Sequence, residues 1–356
     1  MSEKKISLYD LEYPALEALL TSWGTPKYRT RQVWKWLYVH KATSYNQMAN
    51  LPRALRDQLS TKTDIGTLKI IDTLQSSGRE ARKDLLLLAD SESIETVLMR
   101  YERRRTACIS TQVGCTVGCE FCATGQMGFR RNLSVGEITA QVVHFARILQ
   151  DEGDRLTNVV FMGMGEPLLN YDATLAAIRR VIDPQALGIG QRHITLSTVG
   201  IIPGIDRLAQ EPGQQADSHL QITLAISLHA ATNELRNRLV PMNRCYDLDT
   251  LFEACHRYAD LTNRRISFEW ALIEGLNDTQ EQAEALVRRL SGLRAHVNLI
   301  PINPTREYRG RRPSQARVTV LTDVLDRHSI PYSVRLRRGI DIEAGCGQLK
   351  QRHDNS

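Results

Sequence analysis

The chain has 356 residues, a formal net charge of +6, and 42% hydrophobic and 24% charged residues, a composition typical of a soluble globular protein. The lack of any run of about 18 apolar residues excludes a membrane-spanning helix, and no apolar signal region follows the charges at residues 3–5, so we expect a cytoplasmic protein. Seven cysteines then indicate metal or redox chemistry rather than a disulfide framework.

The first 75 residues predict a small, separate helical domain. Apolar residues recur at helical spacing over residues 9–22 and 31–40, and Pro52 precedes a third short helix at 53–60. Its basic composition is equally consistent with a domain that binds nucleic acid and with a domain that packs against the rest of the protein. Residues 76–104 then predict a β-hairpin extension, because strand-like runs at 83–88 and 94–100 flank a segment of turn composition.

Residues 105–349 alternate between strand and helix patterns. Strands are predicted at 158–162, 193–197, 221–227, 265–272, 296–300 and 332–336, and helices at 135–149, 172–182, 248–260, 279–290 and 314–328. Repeated βα units imply a parallel sheet, and this number of units favours a partial (βα)6-type barrel over an eightfold one. The fold class is therefore α/β, and residues 350–356 form a polar tail.

Small or polar residues follow several of the predicted strands. These segments are Gly163-Met-Gly165-Glu166-Pro167, Ser197-Thr-Val-Gly, Ser227-Leu228-His229 and Asn303-Pro. Any one of them alone is typical of a turn. Together they predict a ligand site, because ligands bind at the carboxyl ends of parallel strands.

Three cysteines, Cys115, Cys119 and Cys122, have the spacing C-x3-C-x2-C. Three thiolates can hold three irons of a [4Fe–4S] cluster and leave the fourth iron without a protein ligand. A structural zinc site would need a fourth ligand, usually from a second cysteine or histidine pair, and none follows here. The motif therefore favours an open iron–sulfur cluster. Cys245 and Cys255 have no motif, and we interpret them as structural.

Arginines cluster at residues 103–105, 130–131, 264–265, 309–312 and 335–338. One such cluster is typical of solvated surface. Five of them, several beside the motifs above, favour a polyanionic partner such as RNA.

The chain resembles the radical S-adenosylmethionine (SAM) RNA methyltransferases that methylate adenosine carbons, the RlmN/Cfr family. The resemblance rests on residues 108–133 with the three cysteines, Phe-Met-Gly-Met-Gly-Glu-Pro-Leu at 161–168, Ser-Leu-His at 227–229, Asn-Leu-Ile-Pro-Ile-Asn-Pro at 298–304, and Gly-Ile-Asp-Ile-Glu-Ala-Gly-Cys-Gly at 339–347. It implies a radical SAM barrel, with residues 1–75 as an RNA-binding accessory domain. The likeness is greater to the branch that methylates C2 than to the Cfr branch, which methylates C8 and is the alternative.

The resemblance also implies the catalytic residues. Cys346 would take a methyl group from a first SAM, and a 5′-deoxyadenosyl radical from a second SAM would abstract hydrogen from that methyl group so that it adds to the base. Cys108 would release the product by forming a transient disulfide with Cys346, and Glu95 would accept the C2 proton. Without the resemblance, Cys108 suggests a fourth cluster ligand, Cys346 a buried cysteine and Glu95 a solvated carboxylate.

The same family pattern implies the cofactors and partners. Each chain would hold one [4Fe–4S] cluster on the three cysteines and use two SAM molecules per turnover, with Gly165, Glu166, Ser197, Ser227, Leu228, His229 and Asn303 as SAM contacts. The expected substrates are a specific adenosine of 23S rRNA and the adenosine next to the anticodon in some tRNAs. We also expect an electron donor such as flavodoxin or ferredoxin, no membrane partner, and a monomer.

Overall fold

A ten-stranded mixed sheet with a small N-terminal helical domain forms the protein in the computed structural model. The structure describes residues 5–215, 218–303, 308–335, 342–345 and 347–349. The predicted methyl carrier, Cys346, lies outside the described residues, as do Asp341 and residues 350–356.

The N-terminal domain packs three helices around its own apolar core. Its elements are β1 (Ile6–Ser7), α1 (Tyr13–Ser22), α2 (Tyr28–Tyr38), α3 (Arg53–Lys62) and β2 (Thr63–Asp64). The first helix is shorter than predicted, because a 3-10 turn at Leu8–Asp10 and Pro14 set its start. Ala140 and Val143 of the next domain complete this core, and Asp10 Oδ1 accepts a hydrogen bond from the backbone N–H of Gly136. This domain therefore caps the barrel by packing against it.

The extension that follows is a three-stranded antiparallel sheet rather than the predicted hairpin. Its strands are β3 (Lys69–Gln75), β4 (Ala81–Leu87) and β5 (Ser93–Arg100). The helical segment was predicted to run to residue 75, but 69–75 form strand β3, which alternates exposed and half-buried residues at the sheet edge. Because β3 has only one paired side, its apolar alternation is weak in the sequence.

The barrel begins at β6, and at least one helix lies between successive parallel strands. Its elements are β6 (Arg105–Cys108), β7 (Gln112–Gly114), α4 (Ala123–Gln126), β8 (Phe129–Asn132), α5 (Val135–Asp151), β9 (Asn158–Phe161), α6 (Tyr171–Ile182), β10 (Ile194–Thr198), α7 (Ile202–Ala209), β11 (Thr223–Ser227), α8 (Asn233–Leu239), α9 (Leu248–Thr262), β12 (Ile266–Leu272), α10 (Gln280–Arg289), β13 (Ala295–Pro301), α11 (Gln315–Arg327) and β14 (Tyr332–Val334). All six predicted barrel strands and all five predicted helices are confirmed, with bounds shifted by a few residues.

The sheet has the order β14-β13-β12-β11-β10-β9-β6-β5-β4-β3 among the described residues. Strands β6 and β9–β14 pair in parallel, whereas β3–β6 pair antiparallel. Polar caps start the long helices: Ser134 at α5, Asp247 at α9, Thr279 at α10 and Ser314 at α11 each accept a first-turn N–H. The α/β class and the partial barrel are thus confirmed, with β6 as an additional parallel strand.

Candidate functional site

A cavity opens at the carboxyl ends of the parallel strands, as the polar residues after the strands predicted. Including its open mouth it encloses about 1050 Å³, which is large enough for a cofactor. The predicted residues that line it are Cys115, Cys119, Cys122, Gly165, Glu166, Ser197, Ser227, His229 and Asn303. The structure therefore brings together residues that are almost 190 positions apart in the chain.

The three cysteines lie on the loop between β7 and α4, which forms one wall of the cavity. Among the described residues, no three Cys, His, Asp or Glu side chains lie close enough to share a single metal ion. Three thiolates on one loop can each bind a different iron of a cubane cluster. Burial raises the pKa of Cys115 to about 12 and that of Cys119 well above its ordinary value, so both need a cationic partner such as iron to ionise near neutral pH.

Glu166 is buried in the wall opposite the cysteine loop. Its two carboxylate oxygens accept hydrogen bonds from the backbone N–H groups of Leu168 (3.0 Å) and Val199 (2.9 Å). Burial raises the pKa of this carboxyl to about 7, although these hydrogen bonds oppose the rise. A ligand ammonium in the cavity would favour the carboxylate form.

Gly163 and Gly165 allow the segment that leads from β9 to Glu166 to approach residues 109–112 closely. A Cβ at position 163 would lie 2.7 Å from the backbone carbon and oxygen of Ile109. At position 165 a Cβ would lie 2.5 Å from the Cβ of Gln112, and φ is +99°. Both positions therefore require glycine, and the contact holds the chain after Cys108 against the cavity wall.

The ends of β10 and β11 place Ser197 and Ser227 side by side, with their hydroxyl oxygens 3.1 Å apart. His229 has a left-handed backbone, φ 61°, and its Nδ1 accepts the backbone N–H of Ala271 at 2.9 Å. Burial and the Arg236 charge lower the pKa of His229 to about 3, so the ring is neutral with its proton on Nε2. The side chain of Leu228 is fully buried in the core, and its role as a SAM contact stays a prediction.

Asn303 follows β13, and its Oδ1 is buried with no hydrogen-bond partner among the described residues. A buried amide oxygen of this kind normally accepts a donor from a ligand or water. The chain after position 346 packs against the start of α4, directly after the cysteine loop. The backbone N–H of Ala123 donates to Gly347 O at 2.8 Å, and Thr124 Oγ1 donates to Leu349 O at 2.6 Å.

Cys108 and Glu95 lie on the neighbouring antiparallel strands β6 and β5. Cys108 ends β6 opposite Val97 of β5, and Thr96 Oγ1 donates to its carbonyl at 2.7 Å. Glu95 stands two residues from Val97 and so faces the same side of the sheet. Its side chain is only 1% exposed, so the interpretation of Glu95 as a solvated carboxylate is wrong.

Two buried charged residues at the site were missed from the sequence. Glu269 on β12 lines the cavity and accepts hydrogen bonds from Ser267 and Asn298, and burial raises its pKa. Arg236 on α8 donates to the carbonyl oxygens of Leu228, Ser227 and Val199 and to Asn243 Oδ1. In the sequence, the only sign of these two residues is a charge within an apolar pattern. Many surface residues share that feature.

These residues fit a cluster bound by three cysteines beside an amino-acid-bearing cofactor. Three thiols line one wall, a carboxylate and two hydroxyls suited to an ammonium and a ribose line another, and Asn303 presents an acceptor that has no partner in the described part of the chain. The site thus has the donor set of a radical SAM enzyme.

Comparisons with known proteins agree with that class. The model of the radical SAM superfamily matches residues 109–290, and the model described as ribosomal RNA large subunit methyltransferase N-terminal domain matches residues 6–65. A crystal structure of a radical SAM methyltransferase from Sphaerobacter thermophilus superposes with a TM-score of 0.93 at 47% identity, over 97% of this chain and 99% of that one. The protein is therefore a radical SAM enzyme, a class that uses a [4Fe–4S] cluster and SAM.

Curated relatives narrow the class to one family. The chain is 49% identical to the dual-specificity RNA methyltransferase RlmN 1 of Myxococcus xanthus, over 98% of this chain and 95% of the relative. It is 46% identical to the probable dual-specificity RNA methyltransferase RlmN of Pelotomaculum thermopropionicum, over 98% and 92%. The chain belongs to the RlmN family of radical SAM RNA methyltransferases. No helix in the described part of the chain is long and apolar enough to cross a membrane.

Proposed function

We propose that this enzyme methylates C2 of a specific adenosine in 23S rRNA and C2 of the adenosine next to the anticodon in some tRNAs. The names of the relatives, dual-specificity RNA methyltransferases, support two RNA substrates, and the N-terminal domain match supports ribosomal RNA as one of them. The observation that carries the proposal is the packing of Gly347 and Leu349 against Ala123 and Thr124, directly after the cysteine loop. Gly347 and Leu349 also line the cavity, so residues that follow Cys346 closely in the sequence lie at the cofactor site.

The chemistry of the base explains why such a site is needed. C2 of adenine is electron-poor and does not attack a methyl donor, so polar transfer is not available. When bound, the cluster and SAM supply a carbon radical by one-electron cleavage of the sulfonium. The protein must exclude water from that radical, carry the methyl group to the base and detach the product.

Cys346 is the methyl carrier in this proposal. Its thiolate takes the methyl group from a first SAM by displacement, with S-adenosylhomocysteine as the leaving product. The methyl group would give up one hydrogen atom to that carbon radical, and its carbon would bond to C2, so that enzyme and RNA are joined through the Cys346 sulfur. The one electron left over on this adduct would return to the cluster. Gly345 and Gly347 flank Cys346 in the sequence, and neither has a side chain that would obstruct it.

Cys108 and Glu95 complete the reaction. The Cys108 thiolate attacks the Cys346 sulfur, so that the bond between sulfur and the transferred carbon breaks as the S–S bond forms; the released carbon keeps the electron pair and takes up a proton to become the methyl group, and an external thiol then reduces the disulfide. Glu95 accepts the proton that C2 loses. Their position on one face of the paired strands β5 and β6 supports both assignments.

The proposed partners follow from the positive charge of the arginine clusters and from the electron that the reaction requires. The arginine clusters and the N-terminal domain would contact the RNA backbone, and a small donor such as flavodoxin or ferredoxin would supply the electron to a monomeric enzyme.

Nucleoside mass spectrometry tests the proposal. The anaerobically reconstituted enzyme would act on unmodified 23S rRNA and tRNA with methyl-labelled SAM and a reductant. We expect labelled 2-methyladenosine from both RNAs. Labelled 8-methyladenosine would assign the enzyme to C8 chemistry instead, and no labelled nucleoside from a preparation with an intact cluster would refute the proposed substrate.

A further inference from the structure

Lys83 on β4 joins two parts of the site, yet no motif marks it. Its side chain is 2% exposed, and Nζ lies 3.1 Å from Oε1 of Glu95, whose side chain is 1% exposed. The same Nζ donates a hydrogen bond to the carbonyl oxygen of Glu343 at 3.1 Å. One buried ammonium therefore contacts both the proposed proton acceptor and the segment that leads to Cys346.

Strand register explains why these groups meet. Lys83 stands opposite Val97, and Val97 stands opposite Cys108. Directly opposed residues of antiparallel strands face the same side, and Glu95 is the diagonal neighbour of Lys83 on that side. The next residue of β4, Asp84, faces the other side and pairs with His144 of α5 at 2.7 Å. The Asp84–His144 pair holds β4 against α5 and so fixes the position from which Lys83 extends.

The energetics favour a functional role for the buried pair. Taking an ammonium and a carboxylate out of water costs several kcal/mol per ion, and apolar residues of similar size often stabilise a fold as well or better. A buried carboxylate is favoured as the anion only where a cation faces it. The ion pair therefore adds little to the stability of the fold, but it prepares Glu95 to accept a proton.

We propose that Lys83 is a positioning residue that keeps Glu95 ionised and aimed at the base while it holds residues 342–345 in place. This inference rests on the proposed role of Glu95, but the contact with Glu343 gives it a consequence that needs no RNA. Both functions depend on one ammonium group, so a single substitution should disturb both.

The test compares Lys83→Met, Lys83→Arg and Glu95→Gln, with Lys69→Met on exposed strand β3 as the control. We expect Lys83→Met to lower the rate of 2-methyladenosine formation by about 10- to 100-fold, a part of what a general base contributes. A covalent protein–RNA adduct should accumulate in Lys83→Met and Glu95→Gln, because the C2 proton stays on the base. Lys83→Arg should restore much of the rate, and the control should match the wild type.

Hydrogen exchange of the peptide that spans residues 342–349 provides the second readout. We expect faster exchange in Lys83→Met than in the wild type and in Lys83→Arg, with unchanged cluster absorbance as the check on folding. Equal exchange in all variants would overturn the inference, as would Lys83→Met turnover at the wild-type rate. A wild type that makes no 2-methyladenosine would refute the proposed function, and the exchange result would still decide the role of Lys83.

Discussion

The strongest structural prediction concerns Arg236, which has no counter-ion among the carboxylates of the described residues. Its side chain is 1% exposed, and its hydrogen bonds go to three backbone carbonyl oxygens and one amide oxygen. Two of those carbonyls belong to Val199 and Ser227, which line the cavity. Replacing Arg236 with Met keeps the approximate length of the side chain and removes every one of these donors.

The cost can be worked from these contacts. A buried acceptor left without a donor costs about 1–3 kcal/mol, so four acceptors give roughly 4–12 kcal/mol. Burial already lowers the pKa of Arg236 to about 10, which means that the charge itself is disfavoured there. Its removal offsets part of the loss, and we expect Arg236→Met to lower the free energy of unfolding by about 3 kcal/mol.

Arg238, two residues along the same helix, is the matched control. Its side chain is 56% exposed and pairs with Glu120 at 3.2 Å. Surface pairs of this kind contribute about 0.2–1 kcal/mol, so Arg238→Met should hardly change stability. Thermal scans at one rate should show a fall on the order of 5 °C for Arg236→Met and almost none for Arg238→Met. Equal melting temperatures for the two variants would refute the reasoning.

Other substitutions test other parts of the site. Cys108→Ala should trap the covalent protein–RNA adduct on denaturing gels, since release needs the second thiol; ordinary turnover would remove Cys108 from the mechanism. Cys115→Ala should abolish both the brown absorbance of the cluster and RNA methylation, and retention of both would count against the cluster assignment. His229 has a lowered pKa, so below about pH 6.5 the unfolded chain takes up a proton that the folded protein does not, and stability falls as the pH drops. His229→Gln should therefore narrow the difference in unfolding free energy between pH 6.5 and 5 by about 2 kcal/mol; an unchanged difference would contradict the buried neutral ring. Gly163→Ala should destabilise the protein by about 1–3 kcal/mol because its Cβ meets the Ile109 backbone, and a wild-type melting temperature would show that this contact relaxes.

The local chemistry of the site could be predicted from the sequence because it depends on short spacings. The cysteine motif spans eight residues, and the alternation of strands and helices depends on periods of two and 3.6 residues. Once the sheet is parallel, Glu166, Ser197, Ser227 and Asn303 must meet at one edge. The confirmed cavity lining follows from those rules alone.

Contacts that depend on register between distant strands could not be predicted. From the sequence alone, Glu95 is expected to be a solvated carboxylate. Only the pairing of β4 with β5 buries it beside Lys83. The edge strand β3 was missed because an edge has one exposed side and a weak pattern. Arg236 was missed because nothing in its neighbourhood along the chain shows that four acceptors lie around it.

The sequence by itself determined the fold class, the cysteine loop and the polar strand ends, since each is fixed by residue types at short range. Only the tertiary structure decided which charges are buried, which partner each one has and how the chain around position 346 reaches the cysteine loop. Burial and ion pairing depend on the desolvation that packing imposes, and packing brings together residues that are far apart in the chain.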